Sequence, residues 1–230
     1  MIITIDGPAG SGKSTTARAV ATRLSYVYLD TGAMYRAVAL AFVEADADPT
    51  ADAASRVLDD LRVDVFYTGD TMGVRLNGRD VTDQIRTQAV GTMASQISTL
   101  QAVREKMVAE QRRLGTHHVE THGGVVLDGR DTGTVVFPEA DVKIFMDADP
   151  WERARRRKKE QEAEGRSVSL EAVHKEIVAR DAQDRTRDIA PLRKAEDAVV
   201  LDTTARTIEE QVDFVVAQVE DARRPDANGT

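Results

Sequence analysis

The stretch Ile2-Ile-Thr-Ile-Asp6-Gly7-Pro-Ala-Gly-Ser-Gly12-Lys13-Ser14-Thr15 decides the fold. A short β-branched apolar run enters Gly-x-x-x-x-Gly-Lys-Ser, and a helical pattern over 14–24 leaves it. This is a phosphate-binding loop. Its glycines let consecutive backbone N–H groups turn toward one anion, and the helix behind it adds the positive end of its dipole. Gly7, Pro8, Ala9, Gly10, Ser11, Gly12, Lys13, Ser14 and Thr15 are therefore the expected nucleoside triphosphate contacts. Lys13 is placed to reach the β- and γ-phosphates, and the Ser14 hydroxyl to ligate Mg²⁺.

Working outward, four more apolar runs read as strands: Tyr26–Leu29, Val125–Leu127, Val142–Met146 and Val199–Leu201. Helical patterns separate them at Ala33–Val43, Ala89–Leu114 (broken near Thr99), Trp151–Glu164, Leu170–Arg185 and Ile208–Val219. Alternation of this kind predicts an α/β three-layer sandwich on a five-stranded, mostly parallel sheet. Residues 61–81 break it with period-two alternation, Gly69-Asp70, and an Asn77-Gly78 hairpin turn. They predict a small antiparallel β insert at about 62–82. One P-loop domain over 1–220, a helical lid at about 151–166 and a frayed tail over 221–230 complete the expected organisation.

The chain has 230 residues and a formal net charge of −8. That balance argues against nucleic-acid or anionic-membrane partners, so anionic substrates need local basic pockets. Cysteine is absent, which excludes thiol and disulfide chemistry. The N-terminal apolar stretch stops at Asp6 and reads as a strand rather than a signal peptide. A cytoplasmic monomer is expected.

Three clusters carry the remaining chemistry. Asp30-Thr31-Gly-Ala-Met-Tyr-Arg36 joins a strand end to a helix start, at the sheet edge where α/β ligands bind, although Asp30 and Thr31 also suit a plain helix cap. Val125-Val-Leu-Asp128-Gly-Arg130-Asp131 is an apolar strand ending in a Walker-B-like carboxylate, so Asp128 joins Ser14 as an expected metal residue. Arg180, Asp184 and Arg187 fall at i, i+4, i+7 on one expected helix face, either as a surface salt bridge or as a clamp on phosphate and sugar. The run Arg153–Lys159 is a solvated face or a lid whose arginines close over the reaction; Arg153 and Arg157 are the expected pair. His117, His118 and His122 read as a solvated polar loop, since their spacing fits no zinc pattern.

In combination the motifs resemble the bacterial cytidylate kinases over about residues 2–215. They are the phosphate-binding loop, Tyr28-Leu-Asp-Thr-Gly-Ala-Met-Tyr-Arg, Ile85-Arg, Ala94-Ser-Gln, Asp128-Gly-Arg-Asp, Gly133-Thr-Val-Val-Phe-Pro, Val142-Lys-Ile-Phe, Arg180-Asp, Asp184-Arg-x-Arg and Ala190-Pro-Leu. The resemblance implies ATP-dependent phosphorylation of CMP or dCMP with Mg²⁺. It also implies that Thr31, Arg36, Arg130 and Arg187 hold the acceptor phosphate. Ser95, Arg104 and Asp131 would read the base, and Arg180 and Asp184 would touch the sugar. Lys13, Arg130, Arg153, Arg157 and Arg187 would form the catalytic set. A carboxylate at 131 suits the cytosine N4 amino donor and disfavours the uracil carbonyl. A kinase for another acceptor such as UMP, or a nucleotide-dependent switch, are the alternatives; no Asn-Lys-x-Asp guanine signature occurs. Two departures from the family pattern stand out. Thr132 replaces an expected bulkier apolar residue, and Ser25 an expected helix-ending glycine.

Overall fold

The computed structural model describes residues 1–163 and 165–224. Its main sheet has five parallel strands, β1 (Ile2–Asp6), β2 (Val27–Asp30), β6 (Val125–Gly129), β7 (Val142–Asp147) and β8 (Val199–Asp202), in the order β2-β6-β1-β7-β8. All five runs expected to be strands are present, each reaching one or two residues further toward its carboxyl end. Those extra residues are what matter. Register pairs Asp6 with Gly129 and Asp30 with Asp128, so the strand-end acids line one edge of the sheet.

Helices α1 (Lys13–Leu24) and α8 (Ile208–Arg223) cover one face. They close a core of Ile3, Ile5, Val20, Val126, Ile144, Leu201 and Val215. The other face meets α2 (Thr31–Glu44), α4 (Gln88–Ile97) and α5 (Gln101–His122) through Leu29, Met34, Val38, Ile97, Met107 and Leu127. The break expected near Thr99 falls between α4 and α5. A helix over Ala51–Leu58, α3, was not legible in the sequence. Its eight residues span barely two turns, too few for the apolar period to declare itself.

The insert is an antiparallel sheet of β3 (Val63–Thr68), β4 (Thr71–Leu76) and β5 (Arg79–Asp80). Asn77 and Gly78 both take positive φ, 50° and 80°, as the tight turn between β4 and β5 requires. Helix α6 (Pro150–Ala163), which covers most of the expected lid segment 151–166, and α7 (Leu170–Thr186) pack on each other through Ala154, Val173 and Ile177. The rings of Trp151 and His174 stack at 3.8 Å across the same junction.

Three expectations need correction. His117, His118 and His122 lie on the last turns of α5, which runs to His122 and stops at Gly123. The polar sequence there hid a continuous helix. His118 is buried, with Nε2 3.3 Å from the Tyr67 hydroxyl. The tail expected from 221 is helical through Arg223, and residues 225–230 lie outside the described part. Arg187 is not on the helical face of Arg180 and Asp184. The helix ends at Thr186, and Arg187 turns extended (φ −61°, ψ 140°). Among the described residues no helix is long and apolar enough to cross a membrane.

Candidate active site

The phosphate-binding loop leaves β1 through Gly7, where a Cβ would stand 2.0 Å from the Met146 carbonyl oxygen. No larger residue fits without moving β7. The first turn of α1 has neither a side-chain cap nor an acidic residue, so its N–H groups are left for an anion. Lys13 Nζ folds back to donate to the Pro8 carbonyl at 2.7 Å and to Ser11 Oγ at 3.4 Å. Burial, then the nearby Arg130 guanidinium, lowers its pKa to about 7.

Asp128 closes β6 beside this loop. Ser14 Oγ donates to its Oδ2 at 2.6 Å and the Tyr28 hydroxyl to its Oδ1 at 2.8 Å. Burial, and then Asp30 on the neighbouring strand, push its pKa up to about 6. Ser14 and Asp128 are thus a pair of hard oxygen donors beside the helix N-terminus, a set that fits Mg²⁺, which takes few protein ligands when phosphates supply the rest.

Facing the loop is a cleft of about 330 Å³. Of the expected acceptor residues, Thr31, Arg36, Ser95, Arg104, Arg130, Asp131, Arg180, Asp184 and Arg187 all line it, drawn from α2, α4, α5, the turn after β6, and α7 with its exit. At one end Arg104 and Asp131 form a buried ion pair, with Arg187 Nη2 3.7 Å from the second Asp131 oxygen. Toward the loop, Arg130 Nε donates to Asp184 at 2.9 Å. Burial works against the Asp184 charge, but Arg130, Arg180 and Arg187 outweigh it and hold the carboxyl pKa down. Asp184 thereby offsets one guanidinium, and cationic side chains still outnumber carboxylates in the cleft lining.

That excess is the electrostatic signature of the cleft. Burial, and then the like charge of Arg130, lower the pKa of Arg180 to about 10. Burial comes first again in lowering Arg36 and Arg187. Arg180 Nε and Arg187 Nη2 are buried and make no hydrogen bond. A buried cationic donor without an acceptor is costly unless an anion completes it.

Some expected residues behave differently. Arg153 does not enter the cleft. It is buried, donating to the Ala148 and Ala9 carbonyls at 3.0 and 3.1 Å and to Asp181 at 2.6 Å. It fastens α6 to α7 and to the phosphate-binding loop. A buried arginine one turn from a half-buried one looks identical in sequence. Arg157 does line the cleft and pairs with Glu160 at 3.1 Å. The Thr31 hydroxyl proton goes to the Asp128 carbonyl oxygen at 2.7 Å. Tyr35 and Arg86 also line the cleft and received no role from the sequence. Both sit inside the quoted motifs, which was the available signal.

A phosphate-binding loop opening into an arginine-lined cleft, on a five-stranded parallel sheet, is the arrangement of a P-loop phosphotransferase. The family model described as cytidylate kinase matches residues 3–221. A cytidylate kinase of Salinibacter ruber is 64% identical over 230 residues, with both chains fully covered. One from Carboxydothermus hydrogenoformans is 48% identical, covering 92% of this chain and 94% of that one. One from Bacillus subtilis is 44% identical, covering 96% and 97%. The solved structure of TT1252 from Thermus thermophilus shares the fold, with a TM-score of 0.52, 21% identity and 98% of each chain covered. The chain belongs to the cytidylate kinase family.

Proposed function

We propose that this protein transfers the γ-phosphoryl group of ATP to CMP or dCMP, giving CDP or dCDP and ADP. The observation that carries the acceptor assignment is the buried Arg104–Asp131 pair in the lining of the cleft. Asp131 accepts from a cytosine N4 amino group, and Arg104 donates to the N3 and O2 side. Uracil would turn a carbonyl oxygen toward the carboxylate, leaving both unpaired.

The phosphate end of the acceptor lies among Arg36, Arg130 and Arg187, with Arg180 and Asp184 toward the sugar. The attacking oxygen is already anionic, so no general base is required. Lys13, Arg130, Arg157 and Arg187 stabilise charge on the migrating group, and the lid helices exclude water that would compete as acceptor. Ser14 and Asp128 would hold Mg²⁺, which would supply charge neutralisation at the donor phosphates. Every residue in this scheme comes from one chain, so a monomer suffices, and we place the reaction in the cytoplasm.

The test is ADP formation from ATP with CMP, dCMP, UMP, AMP, GMP or no acceptor. CMP and dCMP should dominate. UMP turnover equal to CMP turnover overturns the base assignment, and equal turnover without acceptor overturns phosphotransfer to a nucleotide.

A further inference from the structure

Asp6 ends β1 directly before Gly7, and none of the steps above uses it. It is buried, yet both carboxylate oxygens are occupied. Oδ1 accepts from the Thr132 N–H at 2.9 Å and from Thr132 Oγ1 at 2.8 Å. Oδ2 accepts from the Gly133 N–H at 2.8 Å. These are the first two N–H groups of a π-helix over Thr132–Val136 that its own preceding residue does not cap. A carboxylate 126 positions away in sequence caps it instead.

The residue immediately before that π-helix is Asp131. Its backbone (φ −147°, ψ 22°) lies outside the main α and β regions, so neighbours must hold it there. The clamp is tight on both sides. A Cβ on Gly133 would stand 2.7 Å from Thr4 Oγ1, and one on Gly129 would stand 2.6 Å from Thr132 Cγ2. β1 therefore grips residues 129–133 from below while Asp131 projects to Arg104 above. The hydroxyl at 132 supplies one of the three bonds, and it sits where the family pattern suggested a bulkier apolar side chain.

We propose that Asp6, acting through Thr132 and Gly133, is a positioning residue for base selection. It fixes the backbone from which Asp131 presents its carboxylate, and it ties that presentation to the strand that launches the phosphate-binding loop. The inference rests on Asp131 reading the base. With the turn loosened, the carboxylate can swing off the N4 direction, and discrimination against UMP falls before catalysis does.

The experiment compares kcat/KM for CMP and UMP in Thr132→Val, Thr132→Ser, Asp6→Asn and Asp131→Ala. Thr132→Val keeps the shape and removes one bond; the CMP:UMP ratio should fall by about three- to tenfold, the size of one lost hydrogen bond. Thr132→Ser keeps the hydroxyl and should restore the ratio. Asp6→Asn turns an amide toward a backbone donor and should lower the ratio further, with ATP half-saturation unchanged. If Asp131→Ala leaves the ratio intact, the base-reading assignment has failed. If Asp131→Ala relaxes it while Thr132→Val and Asp6→Asn both keep it, the positioning role is overturned. Should Asp6→Asn fail to fold, the Val and Ser pair at 132 decides alone.

Discussion

The two ends of the cleft are built in opposite ways. The donor end is one contiguous stretch, Gly7–Thr15, which offers backbone N–H groups at an uncapped helix terminus. The acceptor end gathers side chains from α2, α4, α5, the turn after β6, and α7. Backbone recognition is encoded locally and tolerates changes elsewhere. Convergent side-chain recognition depends on how five segments pack, and so fails in more ways. At the donor end a variant should damage chemistry; at the acceptor end it should split between chemistry, acceptor binding and stability according to what each arginine touches.

The largest effect expected is at Lys13. Lys13→Ala should lower kcat by about 10³-fold with CMP binding retained, since one preorganised charge on the transferred group is removed. Loss of CMP affinity to the same degree would break the separation of the two ends. Arg187→Ala should cost about 10²-fold in kcat/KM for CMP while ATP binding, measured by calorimetry, stays within error.

Arg153 and Arg157 sharpen the contrast within one helix. Arg153→Met breaks a buried ion pair and should destabilise the protein by about 3 kcal/mol in denaturant titration. Arg157→Ala should leave stability nearly unchanged and lower kcat by about tenfold. A reversed pattern would return Arg153 to the catalytic set.

A smaller effect concerns protons. Lys13, with its pKa lowered to about 7 in the free site, is largely neutral at pH 8. Phosphates beside it favour the ammonium form, so ATP binding at pH 8 should take up a proton. Calorimetry in buffers of different ionisation enthalpy should show this, and Lys13→Met should abolish it. The smallest effect lies outside both ends. Ser25 ends α1 with φ 56°, a conformation glycine adopts freely. Ser25→Gly should stabilise by about 1 kcal/mol and leave all kinetic constants alone.

Much of this molecule was readable before any coordinates. The strand runs, the break between α4 and α5, the hairpin insert and the whole donor loop follow from local periodicity and turn chemistry. Ser95 and Arg104 were nameable only through the family resemblance; the clusters at Thr31–Arg36, Arg130–Asp131 and Arg180–Arg187 stood out at strand ends and by spacing, each with a plain cap, turn or surface ion pair as the competing reading. Arg187 shows the limit, since the helical spacing that suggested a clamp is broken at Thr186, yet the extended backbone still delivers its guanidinium to Asp131.

By itself, then, the sequence determined an α/β sheet, a triphosphate-binding loop and an excess of arginine near strand ends. Each of these rests on interactions within a few residues. The tertiary structure alone decided which arginines face the cleft and which one is a strut. It also decided that the histidines end a helix, and that the Asp6 carboxylate bonds Thr132 and Gly133. Those outcomes depend on contacts between residues far apart in the chain, and no local pattern records which partner a buried charge will find.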